Sequence, residues 1–329
     1  MLGTSVPAAE RRRALRARLG SGAVLRFPGA FNPLAAMLVE QLGFDGVYVS
    51  GAAVSASLGL PDIGLVSSSE LALQALQVAR VTALPVLVDA DTGFGEPMNV
   101  ARTVQELEDA GAAGCHIEDQ VMPKRCGHLD GKSVVEVGEM VRRVRAAVAG
   151  RRDPDFVVCA RTDARGVEDL GAAIERAKAY VDAGADMIFP EALRDESEIA
   201  AFRAGIDVPL LVNMTEFGKT PLLGVDALAS LGVDLVIYPV TLLRLAMGAV
   251  ESGLRRLLVD GDQAALVGSM QTRARLYEIL DYAGYNVFDA ELFDARALAA
   301  SQPGAGRDRE PGAEVEQQLR GQGGAGDGG

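Results

Sequence analysis

Short apolar runs recur along the chain at helix-length intervals, and that recurrence restricts the fold more than any other feature. They read VLRFPGAFNP (24–33), GVYVSG (46–51), PVLVDADTG (85–93), GCHIED (114–119), FVVCARTD (156–163), MIFPEA (187–192), PLLVNMTE (209–216) and LVIYPVT (235–241). Runs this short, rich in β-branched residues and apolar almost throughout, suit strands buried on both faces, as in a parallel sheet covered by helices. The stretches between them end alike, in QLGFDG, DAGAAG, DAGADM and SLGVDL. In each, a glycine closes the helix and the next strand begins at once. Eight such units within about 240 residues predict a closed (β/α)8 TIM-type barrel. An open doubly wound sheet is the alternative, but no GxGxxG follows an early strand.

The chain has 329 residues, 49% hydrophobic and 23% charged, enough for a large core and incompatible with disorder throughout. Its 45 acidic against 32 basic residues give a net charge of −13, which repels nucleic-acid phosphates and membrane headgroups. A small soluble ligand is the expected partner. Three cysteines without metal-ligand spacing, and no apolar run of spanning length, point to a reduced, cytoplasmic protein. The expected division is a basic N-terminal arm (1–22), a barrel with extra C-terminal helices (23–295) and a Gly-rich tail (296–329). The arm reads as a solvated face or a docking helix, and the tail as disordered.

Polar residues gather at one end of the predicted strands. Ser50, Asp89, Asp91, Glu118, Asp119, Arg161, Asp163, Glu191 and Asn213 all fall at or just past the C-terminal end of an apolar run. That is the face on which TIM barrels build active sites. Any one of these residues could be a helix cap, but nine in the same relative place exceed what capping requires. Asp89 and Asp91 lie two apart, so on a strand they share a face. With Glu118 on the next strand they form a crowded acidic cluster that suits Mg²⁺, with Mn²⁺ as a substitute, although Asp-Thr-Gly also serves as a plain turn.

The run VMPKRCGHLDGK (121–132) follows the HIED strand. Its Gly and Pro content suits a loop that closes over a ligand. Lys124, Arg125 and His128 are expected to favour a thiolate at Cys126. Cys115 and Cys159 sit inside apolar runs, where a small buried hydrophobe is the usual meaning.

KRCGH, together with DADTGFG, GCHIEDQ, ARTDA, FPEA and NMTEFGKTPL in this order and spacing, resembles the isocitrate lyase and phosphoenolpyruvate mutase superfamily over residues 24 to 295. The resemblance implies a Mg²⁺-dependent carbon-carbon lyase acting on a small hydroxy tricarboxylate. The first candidate is 2-methylisocitrate, cleaved to pyruvate and succinate, and dimethylmalate, isocitrate or another 2-hydroxy acid is the alternative. A phosphonate mutase or a non-catalytic ligand-binding barrel stands further behind.

The same resemblance implies roles for individual residues. Ser50, Gly51 and Ala52 would contact substrate, and Asp62 would lie near the reacting centre. Asp89 and Asp91 would hold the metal, with Glu118 helping through water. Cys126, flanked by Lys124, Gly127 and His128, would supply a proton. Arg161, Glu191, Asn213, Met214, Thr215, Arg244 and Arg273 would bind the carboxylates. A C-terminal helix carrying Arg273 would swap between subunits of a homotetramer. Where relatives commonly read KRCGHRPNK, this chain has Leu129, Asp130 and Gly131, which could alter lid closure.

Overall fold

A computed structural model describes residues 3–128 and 131–301, with side chains through residue 294. Two compact units divide at Leu280, ahead of the boundary at 295 expected above. The first alternates strands with helices: α1 (Ala8–Arg18), β1 (Leu25–Pro28), α2 (Pro33–Gln41), β2 (Val47–Val49), α3 (Gly51–Ser57), α4 (Ser68–Ala79), β3 (Val86–Asp89), α5 (Pro97–Asp109), β4 (Gly114–Glu118) and α6 (Val137–Gly150). It continues with β5 (Val157–Thr162), α7 (Ala164–Val167), α8 (Leu170–Asp182), β6 (Met187–Pro190), α9 (Glu196–Gly205), β7 (Leu211–Asn213), α10 (Val225–Ser230), β8 (Leu235–Tyr238), α11 (Thr241–Asp260) and α12 (Arg273–Ile279). The described part of the second unit is a helix, α13 (Tyr282–Ser301). Most of the Gly-rich tail, residues 302–329, lies outside the described residues.

Each predicted run contains a strand, and the strands pair in parallel as two arcs, β2-β3-β4-β5-β6 and β1-β8-β7. Single parallel bridges, Gly29↔Tyr48 and Ile188↔Leu210, join the arcs at two seams. The TIM-type arrangement is therefore present, although its ladder is not continuous around the ring. Gly43, Gly111, Gly184 and Gly232 end α2, α5, α8 and α10 with φ between +73° and +107°, the left-handed region where a side chain is strained.

Strand pleating sorts the core into two shells. Leu25, Phe27, Tyr48, Leu87, Val157, Cys159, Met187, Phe189, Leu211, Leu235 and Ile237 pack inside the ring. Their strand neighbours Val47, Val49, Val86, Val88, Cys115, Ile117, Val158, Ala160, Ile188, Val212 and Val236 face the helices. This is the period-two alternation of a strand buried on both faces.

One face of the basic arm is docked on the barrel, while the other, with Arg13, is exposed. Leu15 is fully buried in the inner shell. Arg11 donates to the carbonyls of Ala79, Thr82 and Gly111, and Arg12 to those of Ala112 and Glu108 and to the Asp153 carboxylate. These acceptors sit at helix ends and strand starts, so α1 plugs the N-terminal end of the barrel with its arginines on otherwise orphaned carbonyls. The opposite end is left to a different set of charges.

Candidate active site

The inward series of each strand, continued past its C-terminal end, places the polar residues. Tyr48 leads to Ser50, Leu87 to Asp89, His116 to Glu118, Cys159 to Arg161, Phe189 to Glu191 and Leu211 to Asn213. All six end points are buried or half-buried at this end of the ring. A cavity of about 90 Å³ opens among Ser50, Ala52, Asp62, Asp89, Arg161, Glu191, Asn213, Thr215 and Arg244. Phe189, Ile237, Pro239 and Val240 give it an apolar wall. Below it, the Tyr48 hydroxyl lies 2.7 Å from His116 Nε2. Burial lowers the His116 pKa to about 4, so the ring is neutral at pH 7.

Arg161 is the electrostatic hub. Its Nε lies 3.1 Å from Glu118 Oε2 and 2.9 Å from Asp163 Oδ2, and Nη2 is 3.3 Å from Glu191 Oε2. Glu118 and Arg161 meet because they are register partners on β4 and β5. Burial alone would raise the Glu191 pKa, but Arg161 and His128 outweigh it and hold the carboxyl below its ordinary range.

Crowded acids need a cation, and Lys124 is the one in place. Its Nζ lies 2.7 Å from Asp91 Oδ1 and also pairs with Asp62. Burial would lower the Lys124 pKa, yet Asp91, Asp89, Glu118 and Asp62 outweigh it and raise it, so the ammonium is permanent. Burial and neighbouring Asp89 push the Asp91 carboxyl up to about 6, against the pull of Lys124. Among the described residues no three His, Cys, Asp or Glu side chains converge into a ready-made metal cage. The expected trio of Asp89, Asp91 and Glu118 is thus not a closed ligand set.

The donors still suit Mg²⁺, which takes one or two carboxylates and keeps positions for water and substrate. Asp89 Oδ2 and Asp91 Oδ1 face one spot beside Gly51, where an added Cβ would meet them at 3.0 and 3.3 Å. Glu118 Oε1 is buried without a hydrogen-bond partner.

The segment after β4 covers the cavity. A bridge between Gln120 and Val134 ties its two ends, and the Gln120 amide exchanges hydrogen bonds with the Arg125 backbone. Gly127 sits so close to Glu191 and Arg161 that a Cβ would overlap both, at 2.3 and 2.4 Å. His128 Nδ1 accepts from the Lys219 N–H at 3.0 Å, which leaves Nε2 protonated and 2.9 Å from Glu191 Oε1. The environment disfavours the expected thiolate. Burial pushes the Cys126 thiol up, the His128 N–H pulls more weakly the other way, and Lys124 is occupied by Asp91 and Asp62. Leu129 and Asp130, where the lid departs from its relatives, lie outside the described residues.

Two expected site residues stand elsewhere. Met214 has the outward parity of Val212, so its side chain packs in the outer shell, with its sulfur accepting from the Leu223 N–H. Arg273 is exposed in the first turn of α12 and does not line this cavity. Arg244 reaches the cavity from α11, half exposed, stacked 5.1 Å from the Phe217 ring. Sequence reasoning passed over Tyr48 and His116, which the inward parity of Ser50 and Glu118 would have picked out. It also passed over Lys132, whose Nζ lies 2.6 Å from Asp163 Oδ1.

A family model, phosphoenolpyruvate phosphomutase, matches residues 15–258. A probable 2-methylisocitrate lyase of Corynebacterium glutamicum is 61% identical over 293 residues, covering 89% of this chain and 95% of that protein. Among solved structures, 2,3-dimethylmalate lyase, described as a member of the PEP mutase/isocitrate lyase superfamily, aligns with a TM-score of 0.81 at 33% identity, over 88% of this chain and 96% of that one. Phosphonopyruvate hydrolase, in complex with oxalate and Mg²⁺, aligns at 0.78 and 33% identity, over 85% of this chain and 98% of that one.

Proposed function

The chain belongs to the phosphoenolpyruvate mutase/isocitrate lyase superfamily, and we infer from that membership and from the site that it is a carbon-carbon lyase cleaving 2-methylisocitrate to pyruvate and succinate. The observation that carries the reading is the half-buried Cys126 thiol, which lines the cavity beside the glycine that packs against Arg161 and Glu191 and whose pKa is raised by its burial. A thiol kept protonated is suited to give a proton, and the reaction needs one.

Cleavage beside a tertiary hydroxyl moves the bonding electrons onto the carbon next to a carboxylate of the departing fragment. Cys126 protonates that carbon and so prevents recombination. Arg161 binds the forming keto acid, and its three carboxylate neighbours hold the guanidinium in one orientation. Asn213, Thr215 and Arg244 supply donors for the remaining carboxylates, and Ser50, Gly51 and Ala52 line the approach to the acids. His128 fixes Glu191, and Lys124 neutralises Asp91 and Asp62. Asp89 and Asp91 would hold Mg²⁺, with Glu118 behind them, and the bound ion supplies Lewis acidity that lowers the pKa of the substrate hydroxyl.

The wall of Phe189, Ile237, Pro239 and Val240 favours a substrate that carries a methyl group. One methyl is worth about 1–3 kcal/mol in such a pocket. Association of copies, as the homotetramer the superfamily resemblance implies, is supported by Leu245, Met247, Val250, Leu254 and Leu258 exposed on α11. Arg273 would then serve a neighbouring subunit. No described helix is long and apolar enough to cross a membrane, and three free cysteines suit a reducing cytoplasm.

The test is purified protein with Mg²⁺ and a panel of 2-hydroxy di- and tricarboxylates plus phosphonopyruvate, with products identified by mass. Pyruvate and succinate from 2-methylisocitrate, abolished by chelator and restored by Mg²⁺, are expected. Turnover of dimethylmalate alone would move the assignment to that acid, and turnover of the phosphonate alone would end the lyase reading.

A further inference from the structure

Lys132 brings an ammonium group into this end of the barrel without a task in the reaction just described. Its side chain is 2% exposed, with Nζ 2.6 Å from Asp163 Oδ1 and donating also to the Gly127 carbonyl. Burying an ammonium is costly unless acceptors surround it. The two acceptors show what is gained. Asp163 is itself wholly buried and anchored from behind, its N–H donating to Asp119 Oδ1 at 2.8 Å. Asp119 Oδ2 in turn accepts from Thr162 Oγ1 and the Tyr180 hydroxyl at 2.7 and 2.8 Å. Asp163 also grips Arg161, and Gly127 packs on that same guanidinium.

Gly127 has to be a glycine, because no Cβ fits between it and Glu191. Glycine, however, fixes no backbone conformation by itself. A residue that must lack a side chain needs an outside tether to hold its neighbours in place.

We propose that Lys132 is a positioning residue for the lyase reaction: by tying the Gly127 carbonyl to Asp163, it holds the adjacent Cys126 thiol in place at the wall of the cavity. The inference rests on Cys126 as the proton donor. It goes further by naming the group that sets where the donor stands.

Lys132→Met keeps the apolar stem and removes the donor. Lys132→Gln, which retains a donor, carries the test should the first variant fail to fold by circular dichroism. The expected result is a kcat lowered at least about tenfold with KM within about threefold, since misplacing a reacting group by an ångström costs up to about a hundredfold. Alkylation of Cys126 by iodoacetamide, mapped by peptide mass, should accelerate at least about fivefold, with buried Cys115 and Cys159 as unreactive controls. A folded variant that alkylates Cys126 at the wild-type rate, or that keeps kcat within about twofold, overturns the proposal. If wild-type protein releases no pyruvate, the substrate reading has failed, and the alkylation ratio alone decides whether Lys132 holds the thiol.

Discussion

The two ends of the barrel use buried charge in opposite ways. At the N-terminal end, Arg11 and Arg12 donate mainly to backbone carbonyls, and the charges there close a hole. At the C-terminal end, Arg161, Lys124 and Lys132 face carboxylates, and polar atoms such as Glu118 Oε1 and Asn213 Oδ1 are left without hydrogen bonds. Both ends leave buried polar atoms unpaired, but at the plug they are Arg11 Nε and Arg16 Nε, on guanidinium groups whose other nitrogens are held by carbonyls, whereas at the site they are acceptors left for a ligand. Substitutions at the upper end should therefore cost chemistry more than stability, and those at the lower end the reverse.

The sharpest division is expected at Cys126. Cys126→Ser should lower turnover at least about a hundredfold, the scale of a positioned acid, with little change in melting temperature. Steady-state kinetics beside a thermal melt checks both halves, and near-normal turnover would remove the thiol from the mechanism. At the plug, Arg12→Ala strands the Ala112 and Glu108 carbonyls and the Asp153 carboxylate. It should destabilise by about 2–4 kcal/mol while the folded fraction keeps its activity. Arg13, one residue on, is 72% exposed in its side chain and 3.9 Å from Asp155. Arg13→Ala should therefore stay within about 0.5 kcal/mol of wild type in a urea titration. Equal losses at Arg12 and Arg13 would mean that α1 is not a plug.

The same contrast separates what periodicity reveals from what it hides. Alternation places Asp89, Glu118, Arg161, Glu191 and Asn213 at one end of one shell, because a strand allows only two side-chain directions. It also excludes Met214, whose parity is outward, and it includes Tyr48. The burial of Arg11 and Arg12 is hidden because their partners are carbonyls 68 to 100 residues away. Those acceptors carry no side-chain signature. The state of the Cys126 thiol is hidden for a related reason. Three basic neighbours in sequence suggest a thiolate, but in space Lys124 and His128 are held by Asp91, Asp62 and Glu191, and burial dominates. Lys132 is hidden likewise, because its role depends on Asp163, 31 residues on, and on the carbonyl of a glycine 5 residues back.

The central claim, a lyase whose upper end is shaped for a methylated tricarboxylate, is tested most directly by the ratio of two specificity constants. Pyruvate release from 2-methylisocitrate, followed with lactate dehydrogenase and NADH, is set against glyoxylate release from isocitrate, followed with phenylhydrazine. Contact of one methyl with the wall of Phe189, Ile237, Pro239 and Val240 predicts a kcat/KM at least about tenfold higher for 2-methylisocitrate. A ratio at or below one would contradict the account.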